Sequence, residues 1–456
     1  MRSIAAIATA RGTGGLAVIR ISGEGAFEIG ERLFYNKNKK FRDIGANCAV
    51  FGQILKNGAV IDEGIFIKFY APQSYTGEDV LEISCHGGVY ISNLVLSAAL
   101  EAGASLAKPG EFTQRAYINN KLSLTGAEAV GRLISAVSET GAKLASAQTK
   151  GGLSRKIGQI SDGIKKIISE VYVYIDYPGE DLQDMTREQM LANLDIISAD
   201  LIKLRESYNN AGKIIADGID CAIIGKPNTG KSTLLNLLAR DEIAIVHDTP
   251  GTTRDIISSR VNLGRFTLNL FDTAGIRETD GEIENIGIAK ARAKIEECGL
   301  IIGVFAADNI NQDDARILDI INKQVNKKII LLMNKCDINI NNISSDYILI
   351  SARENISGEA GVSALQAIEN KLEQLYKLDK YNLDSGEVLT EERQYHEISE
   401  ALASINSACD ALKLGYTPDI AGLDLELAAQ SLDRCDSQAV SEDIVARIFK
   451  NFCVGK

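Results

Sequence analysis

Asp220-Cys-Ala-Ile-Ile-Gly-Lys-Pro-Asn-Thr-Gly-Lys-Ser-Thr233 decides the reading of this chain. An apolar strand runs into a loop, and the loop into a helix start. Gly225 to Ser232 has the spacing G-x-x-x-x-G-K-[ST]. In such a loop successive backbone N–H groups cradle phosphates at the positive end of a helix. Gly230 lets the backbone approach closely, Lys231 reaches the β- and γ-phosphates, and Ser232 offers a hydroxyl to Mg²⁺.

Further along, the apolar strand Thr267–Phe271 ends in Asp272-Thr-Ala-Gly275. An acidic residue at a strand end, followed by a glycine beside the γ-phosphate, suits Mg²⁺ binding and sensing of the nucleotide state. Ile329–Met333 is a buried-type strand ending in Asn334-Lys335-Cys336-Asp337. A carboxylate there accepts from both the ring N–H and the 2-amino group of guanine. Adenine lacks that pair, and the wrong base leaves buried polar groups unpaired. Ser351-Ala352-Arg353 follows another short strand, and Gly251-Thr-Thr-Arg-Asp255 lies between the first two signatures. The ordered set predicts a GTP-binding α/β domain. After Asp-x-x-Gly stands Ile276, where Ras-type proteins carry a water-orienting Gln. Glu278, Glu282 and Glu284 are the candidate replacements. Asn228 lies inside the phosphate loop, where its amide oxygen can face a monovalent cation. That cation would take the place of an arginine finger, an element worth about 10³–10⁵ in rate. Arg254 is the rival for that role.

The remaining composition is consistent with a multi-domain globular protein. At roughly 150 residues per domain, 456 residues suggest about three domains. Hydrophobic residues at 45% and charged residues at 24% exclude disordered, collagenous and coiled-coil classes. The net charge of −12 argues against a strongly basic nucleic-acid binder, but the charge is uneven. Residues 1–118 carry 12 basic and 11 acidic groups, a net of +1, whereas residues 386–456 carry 6 and 13, a net of −7. None of the eight cysteines forms a C-x-x-C pair, so they read as reduced, mostly buried thiols. Ile4–Ala10 suits a strand better than a secretory signal, and no run of about 18 apolar residues spans a membrane. The chain reads as soluble and cytoplasmic.

Residues 1–118 mix strands with short helices. Ala49–Leu55 and Ala59–Tyr70 flank Asn57-Gly58, a type I′ hairpin signal. Strand Val80–Cys85 leads through His86-Gly87-Gly88 into a helix over Val89–Leu100. From Ile118 to about Lys213 the texture is helical, with Ala129, Leu133, Ala136 and Val137 on one face and Ile160, Ile164, Ile167 and Ile168 on another. Tyr177-Pro178-Gly179 separates two long helices. Helical texture returns at residues 392–415 and 438–452. The simplest architecture is an α/β domain inserted into a helical one.

These motifs resemble the TrmE-Era-EngA-type GTPases, and within them the tRNA modification GTPases. The resemblance is carried along the whole chain by Arg20-Ile-Ser-Gly23, Tyr75–Glu82, Cys85-His-Gly-Gly88, Pro109-Gly-Glu-Phe112, Asn119–Leu124, Ile175-Asp-Tyr-Pro178, the GTPase set and the terminus Phe452-Cys-Val-Gly-Lys456. Val454 stands where the family usually has Ile, and Ala10-Arg11-Gly12 where it usually has Pro-Pro-Gly. The resemblance implies a multi-domain α/β plus α fold. It comprises an N-terminal α+β folate-binding and dimerisation domain at 1–118, a discontinuous helical domain at 119–213 and 379–456, and an inserted Ras-like P-loop GTPase domain at 214–378.

The resemblance further implies a homodimer that works with the flavoprotein MnmG (GidA) in a heterotetramer and acts on tRNA. Together they install an aminomethyl or carboxymethylaminomethyl group on the 5-carbon of a wobble uridine. A reduced folate, 5,10-methylene- or 5-formyl-tetrahydrofolate, supplies the one-carbon unit. Implied folate contacts are Arg20, Glu82, Lys121 and Lys456. Implied nucleotide contacts are Asn228, Thr229, Gly230, Lys231, Ser232 and Thr233, then His247, Asp248, Thr249, Pro250, Gly251, Thr252 and Thr253. Asp272, Thr273, Ala274 and Gly275 continue that set, which ends with Asn334, Lys335, Asp337, Ser351, Ala352 and Arg353. K⁺ falls to Asn228, His247, Thr249 and Thr252, Mg²⁺ to Ser232 and Thr253, and the catalytic roles to Glu284 and Cys453. Rival readings are an Era/EngA-like ribosome-assembly GTPase and a signalling switch. The first calls for a basic RNA-binding appendage, whereas the C-terminal region is acidic.

Asp337→Asn inverts the donor–acceptor pattern offered to the base. It should weaken GTP and favour xanthosine nucleotides in competition binding, and an unchanged preference for GTP would refute the guanine assignment.

Overall fold

A computed structural model describes residues 2–10, 12–176, 186–240, 259–271, 296–308, 310–324, 327–337, 345–359, 361–436, 442–450, 452 and 455. The chain forms two compact units, one of residues 1–131, 148–199 and 397–456, the other of 132–147 and 200–396.

The first unit contains a seven-stranded sheet built from β1 (Ile4–Ile7), β2 (Leu16–Ser22), β3 (Phe34–Tyr35), β4 (Val50–Lys56), β5 (Ala59–Phe69), β6 (Val80–His86) and β7 (Ser105–Leu106), in the order β3-β4-β5-β6-β2-β1-β7. Asn57 and Gly58 turn the β4–β5 hairpin at φ 51° and 80°, as a type I′ turn requires. Side chains alternate across the sheet. Ile19, Ile21, Phe66, Leu81 and Ile83 are buried on one face, in a core shared with α1 (Ala26–Leu33) and α2 (Val89–Glu101). Gly52 is needed for close packing, because a Cβ there would lie 2.3 Å from the Phe34 ring.

The unit's helical part pairs α6 (Gly152–Asp176) with α13 (Pro418–Asp436). Ile160, Ile164 and Ile167 are buried as the periodicity requires, and Ile168 is half-buried. At the end of α13, Asp436 accepts from the Thr125 N–H at 2.9 Å, the Thr125 hydroxyl at 2.5 Å and the Ser154 hydroxyl. Helix α13 fills the interval between the expected helical stretches at 392–415 and 438–452. Gly415 has φ 89°, and Pro418 occupies the first helical turn, where its missing N–H costs nothing. Helix α4 (Leu124–Ser135) ends before Ala136 and Val137, and Leu133 is 39% exposed, so of that expected face Ala129 alone is buried.

The second unit holds a sheet of β8 (Ile219–Ile224), β9 (Ser259–Leu263), β10 (Phe266–Phe271), β11 (Leu300–Ala306), β12 (Lys328–Asn334), β13 (Ile348–Ser351) and β14 (Ile356–Ser357). Its order is β14-β13-β12-β11-β8-β10-β9. The five inner strands run parallel, and β9 and β14 are antiparallel edges. The parallel strands read as continuous apolar runs because both faces are covered. Every residue of β11 is buried. Helices α9 (Lys231–Arg240), α10 (Gln312–Asn322) and, after the last strand, α11 (Ala364–Tyr376) complete the α/β layer.

At the end of β6, His86 Nδ1 meets Asp62 Oδ1 at 2.7 Å, and the His86 N–H donates to Asp62 Oδ2 at 3.0 Å. The Asp62 hydrogen bond raises the pKa of His86 above its ordinary 6.5. Burial works against the Asp62 charge, but the His86 contacts outweigh it and hold the carboxyl below 3.8. The Asp62 contribution is present above its unfolded value and lost as pH falls through the lower folded one. The His86 contribution is full below about 6.5 and lost as pH rises through the higher folded one. Thermal melting against pH should therefore show His86→Ala most destabilised near pH 5 to 6, with the difference shrinking in alkali. An equal deficit at every pH would show that the ion pair contributes nothing.

Candidate functional site

Three signature segments meet at the carboxyl edge of the parallel sheet in the second unit, where open α/β sheets bind ligands. The phosphate loop leaves β8 at Gly225 and enters α9 at Lys231. Asn228 stands at φ 62° and is exposed, and Gly230 stands at φ 94°. A Cβ on Gly230 would lie 2.1 Å from Asn334 Nδ2, and one on Gly225 would lie 2.2 Å from the Val304 carbonyl oxygen. Both glycines are therefore fixed by close approach. Lys231 Nζ donates to the Gly225 and Lys226 carbonyls at 2.7 and 2.6 Å, so the ammonium is held within the loop. Burial pulls its pKa below the ordinary lysine value. The Thr229 hydroxyl donates to the Lys226 carbonyl at 3.0 Å. Ser232 and Thr233 are exposed on the first turn of α9.

Asn334 ends β12 and joins the segments. Its Nδ2 donates to the Thr229 carbonyl at 2.9 Å, and its Oδ1 accepts from the Ala352 N–H at 2.9 Å. Lys335 has φ 64° and pairs with Asp308 at 2.8 Å. Asp337 and Arg353 are exposed, while Ser351 and Ala352 are buried beside Asn334. Lys226, missed by sequence reasoning, pairs with the buried Asp314 at 2.6 Å, and Asp314 also closes the capping box of α10. The Asn311–Asp314 spacing was the available signal. Phosphate-loop fit rests on the two glycines that admit no Cβ and on the half-buried Lys231. His247, Asp248, Thr249, Pro250, Gly251, Thr252, Thr253, Arg254, Asp272, Thr273, Ala274, Gly275, Ile276, Glu278, Glu282 and Glu284 lie outside the described residues.

In the first unit, Arg20 and Glu82 are register partners on β2 and β6. Arg20 Nε and Nη2 each lie 2.8 Å from Glu82 Oε1. The Arg20 guanidinium lies 5.4 Å from the Tyr75 ring centre and 5.7 Å from that of Phe112. Burial raises the Tyr75 pKa, and its hydroxyl bonds to Thr113 at 2.8 Å. The same loop carries Pro72, whose carbonyl accepts from Lys121 Nζ at 3.0 Å. Behind it, Arg115 pairs with Glu78 at 2.9 Å and Glu111 at 3.0 Å, and Ser22 bonds to Glu78 at 2.8 Å. The chain terminus reaches this sheet. Gly455 has φ 104°, and its Cβ position would lie 2.2 Å from the Ile7 carbonyl oxygen on β1. Cys453 and Lys456 lie outside the described residues. Among the described cysteines Cys48 alone is exposed, and burial pushes the Cys85 thiol up to about 11. No group of three potential metal ligands occurs among the described residues, and no described helix is long and apolar enough to cross a membrane.

Residues 3–121 match the family described as the GTP-binding protein TrmE N-terminus, and residues 124–453 match the MnmE helical domain. The tRNA modification GTPase MnmE of Acetivibrio thermocellus is 38% identical over 465 positions, covering 100% of this chain and 99% of that protein. The protein of the same name from Clostridioides difficile is 36% identical over 461 positions, covering 100% and 99%. Among solved structures, the G domain of the T. maritima FeoB iron transporter is similar over 35% of this chain and 98% of its own, at 21% identity and a TM-score of 0.25. With both family descriptions matched and full-length identity to these relatives, the chain belongs to the MnmE family of tRNA modification GTPases.

Proposed function

We infer that this GTPase works as a homodimer in the cytoplasm with a flavoprotein partner of the MnmG type. It adds an aminomethyl or carboxymethylaminomethyl group to the 5-carbon of a tRNA wobble uridine, using a reduced-folate one-carbon unit. The observation that carries the folate part is the Arg20–Glu82 pair, framed by Tyr75 and Phe112 on the strand next to β1, where Gly455 docks. A guanidinium suits the glutamate end of a folate, and a carboxylate suits the amino edge of its pterin. Gly455 adjoins Lys456 and lies two residues from Cys453 in sequence, and we assign both to the folate and one-carbon chemistry. We divide the labour between domains at 1–118, 119–213 with 379–456, and 214–378.

In the GTPase domain Lys231 and the loop N–H groups hold the phosphates, Asp337 reads guanine, and Glu284 orients the attacking water in place of the Gln that Ile276 replaces. Ser232 and Thr253 supply hydroxyls to Mg²⁺, which neutralises phosphate charge when bound. Asn228, exposed at φ 62°, supplies the amide oxygen for K⁺, with the chain at His247, Thr249 and Thr252 completing that set. A cation there supplies the charge an arginine finger would bring.

GTP turnover should run at least tenfold faster in K⁺ than in Na⁺ at equal ionic strength, and Asn228→Ala should erase the difference while keeping nucleotide binding. Equal wild-type rates in both salts return the role to Arg254.

Separate residues for the switch and the carbon chemistry predict a second pattern. Cys453→Ser should keep K⁺-stimulated turnover yet lose wobble modification, read by mass analysis of tRNA nucleosides, whereas Glu284→Ala should lose both. Normal modification by Cys453→Ser would make the thiol structural.

A further inference from the structure

We propose that the exposed side of helix α13 is the docking surface for the flavoprotein partner, which meets it with apolar side chains rimmed by lysine and arginine. The proposal deepens the partner reading above and rests on it. Helix α13 buries one side, with Ala421, Leu425, Ala428 and Leu432 inside the unit. Its other side carries Ile420, Leu423 and Leu427, which are 44%, 67% and 52% exposed. Steps of three and four residues keep these three on one stripe. Tyr172 of α6 widens the stripe, since it is exposed and its hydroxyl donates to Glu426 on α13. Leu414 and Tyr416, just before the helix starts, are exposed as well. Single exposed apolar residues are ordinary, whereas a continuous apolar strip marks an interaction site.

The stripe is held in place before any partner arrives. Helix α13 lies antiparallel to α6, where Lys165 pairs with Asp433 at 3.0 Å and a Cβ on Gly422 would lie 3.2 Å from Val171 Cγ1. Asp436 ties the far end of α13 to Thr125 and Ser154. At the near end Arg187 donates to the Gly415 and Tyr416 carbonyls at 3.3 and 3.2 Å, which fixes the turn into the helix. A surface ordered in this way loses little backbone freedom on binding.

Charge selects the occupant. Helix α13 carries five acidic residues and one basic, a net of −4, within a C-terminal region of net −7. At 3.6 residues per turn, Asp419 and Glu426 border the stripe on one side and Asp424 borders it on the other. None of these three has an ion pair among the described residues, whereas Arg434, the one cation of the helix, is engaged by Glu397 at 3.0 Å. An acidic border repels phosphate, which sets aside RNA and an anionic lipid surface. A second copy of the chain is disfavoured too. A symmetric contact uses the same patch on both subunits and would bring one acidic border against another. The occupant that remains is a protein whose apolar residues are rimmed by cations, and the flavoprotein is the partner that the function calls for.

The test titrates the full chain against the purified, flavin-loaded partner and follows the complex by sedimentation and fluorescence. Leu423→Asp/Leu427→Asp should weaken the complex by more than about tenfold, and Leu423→Ala/Leu427→Ala, which keeps a high helix propensity, by about tenfold. Asp419→Lys/Asp424→Lys should weaken it at low salt and flatten its dependence on ionic strength. GTP turnover and melting temperature of the chain alone should match the wild type in all three variants. If the aspartate pair melts early, the alanine pair carries the test. Wild-type affinity in the leucine variants, alongside a complex with the wild-type chain, would overturn the docking surface and leave the partner reading intact. No complex with the wild-type chain would overturn both. A leucine variant that keeps its partner affinity but sediments alone as a smaller species would give the stripe to a second copy. Binding of phosphatidylglycerol vesicles by the wild type, lost in the leucine variants while the partner complex survives, would give it to a membrane.

Discussion

The nucleotide site depends on one buried amide. Asn334 is 4% exposed and bonds at once to the Thr229 carbonyl and the Ala352 N–H. Those two groups belong to the phosphate loop and the segment after β13, far apart in sequence. An apolar residue at 334 would leave both without this partner in the interior, at about 1–3 kcal/mol for each unsatisfied group. The amide also sets the size of the loop, since its Nδ2 lies where a side chain at Gly230 would begin. A loop with positive φ at Asn228 and Gly230 is poorly populated by a free chain. Here its closing contacts, Lys231 on two carbonyls and Asn334 on a third, come from residues of the sequence signatures themselves. The geometry expected to receive phosphate is thus the geometry that these contacts stabilise.

The N-terminal sheet follows a different principle. One face is apolar and covered, while the other carries a polar pair among rings. Arg20 is stabilised by Glu82 and by the faces of Tyr75 and Phe112. A guanidinium held this way loses little further freedom when an anion arrives, which favours binding. The Arg115–Glu78–Ser22 cluster beneath it satisfies charges that would otherwise be costly to bury, and it fixes the loop bearing Tyr75.

Local chemistry made much of this legible in the sequence. The phosphate loop, the β12 terminus and the Asn57-Gly58 hairpin are short-range patterns, and the structure reproduces them within a residue or two. Helix α13 escaped because the residues that start it, Gly415 and Pro418, are those that also make loops. Strands β3 and β7, two residues each, exist only through pairing with β4 and β1, so no local period announces them. Leu133 illustrates a different failure, since helical periodicity identifies a face but not what covers it. The contacts of the sites are harder still. Arg20 and Glu82 are 62 residues apart, and Lys226 and Asp314 are 88 apart, so register and crossover bring them together rather than spacing.

The same long-range logic links strands β9 and β10 to the rest of the second unit. Strand β10 ends one residue before Asp272, and its Asn269 is 4% exposed. Asn269 donates to the Asp217 carbonyl at 3.0 Å and Asp220 Oδ1 at 2.8 Å, and accepts from Arg260 at 2.9 Å. On β9, Asn262 donates to the Val137 carbonyl at 2.7 Å. Asp217 in turn accepts from Arg132 at 2.7 Å, and Arg132 forks onto Glu391 at 2.5 and 3.1 Å. Burial works against the Arg132 charge, and the Glu391 and Asp217 carboxylates outweigh it and raise its pKa. A planar fork holds two carboxylates in fixed directions, which a lysine ammonium cannot do. Residues 132, 137 and 217 precede the phosphate loop in sequence, and 391 follows the whole α/β insertion. Any shift of β9 or β10 must therefore either break these largely part-buried polar bonds or carry residues 132, 137, 217 and 391 with it. The second course costs less, because it leaves no polar group unpaired.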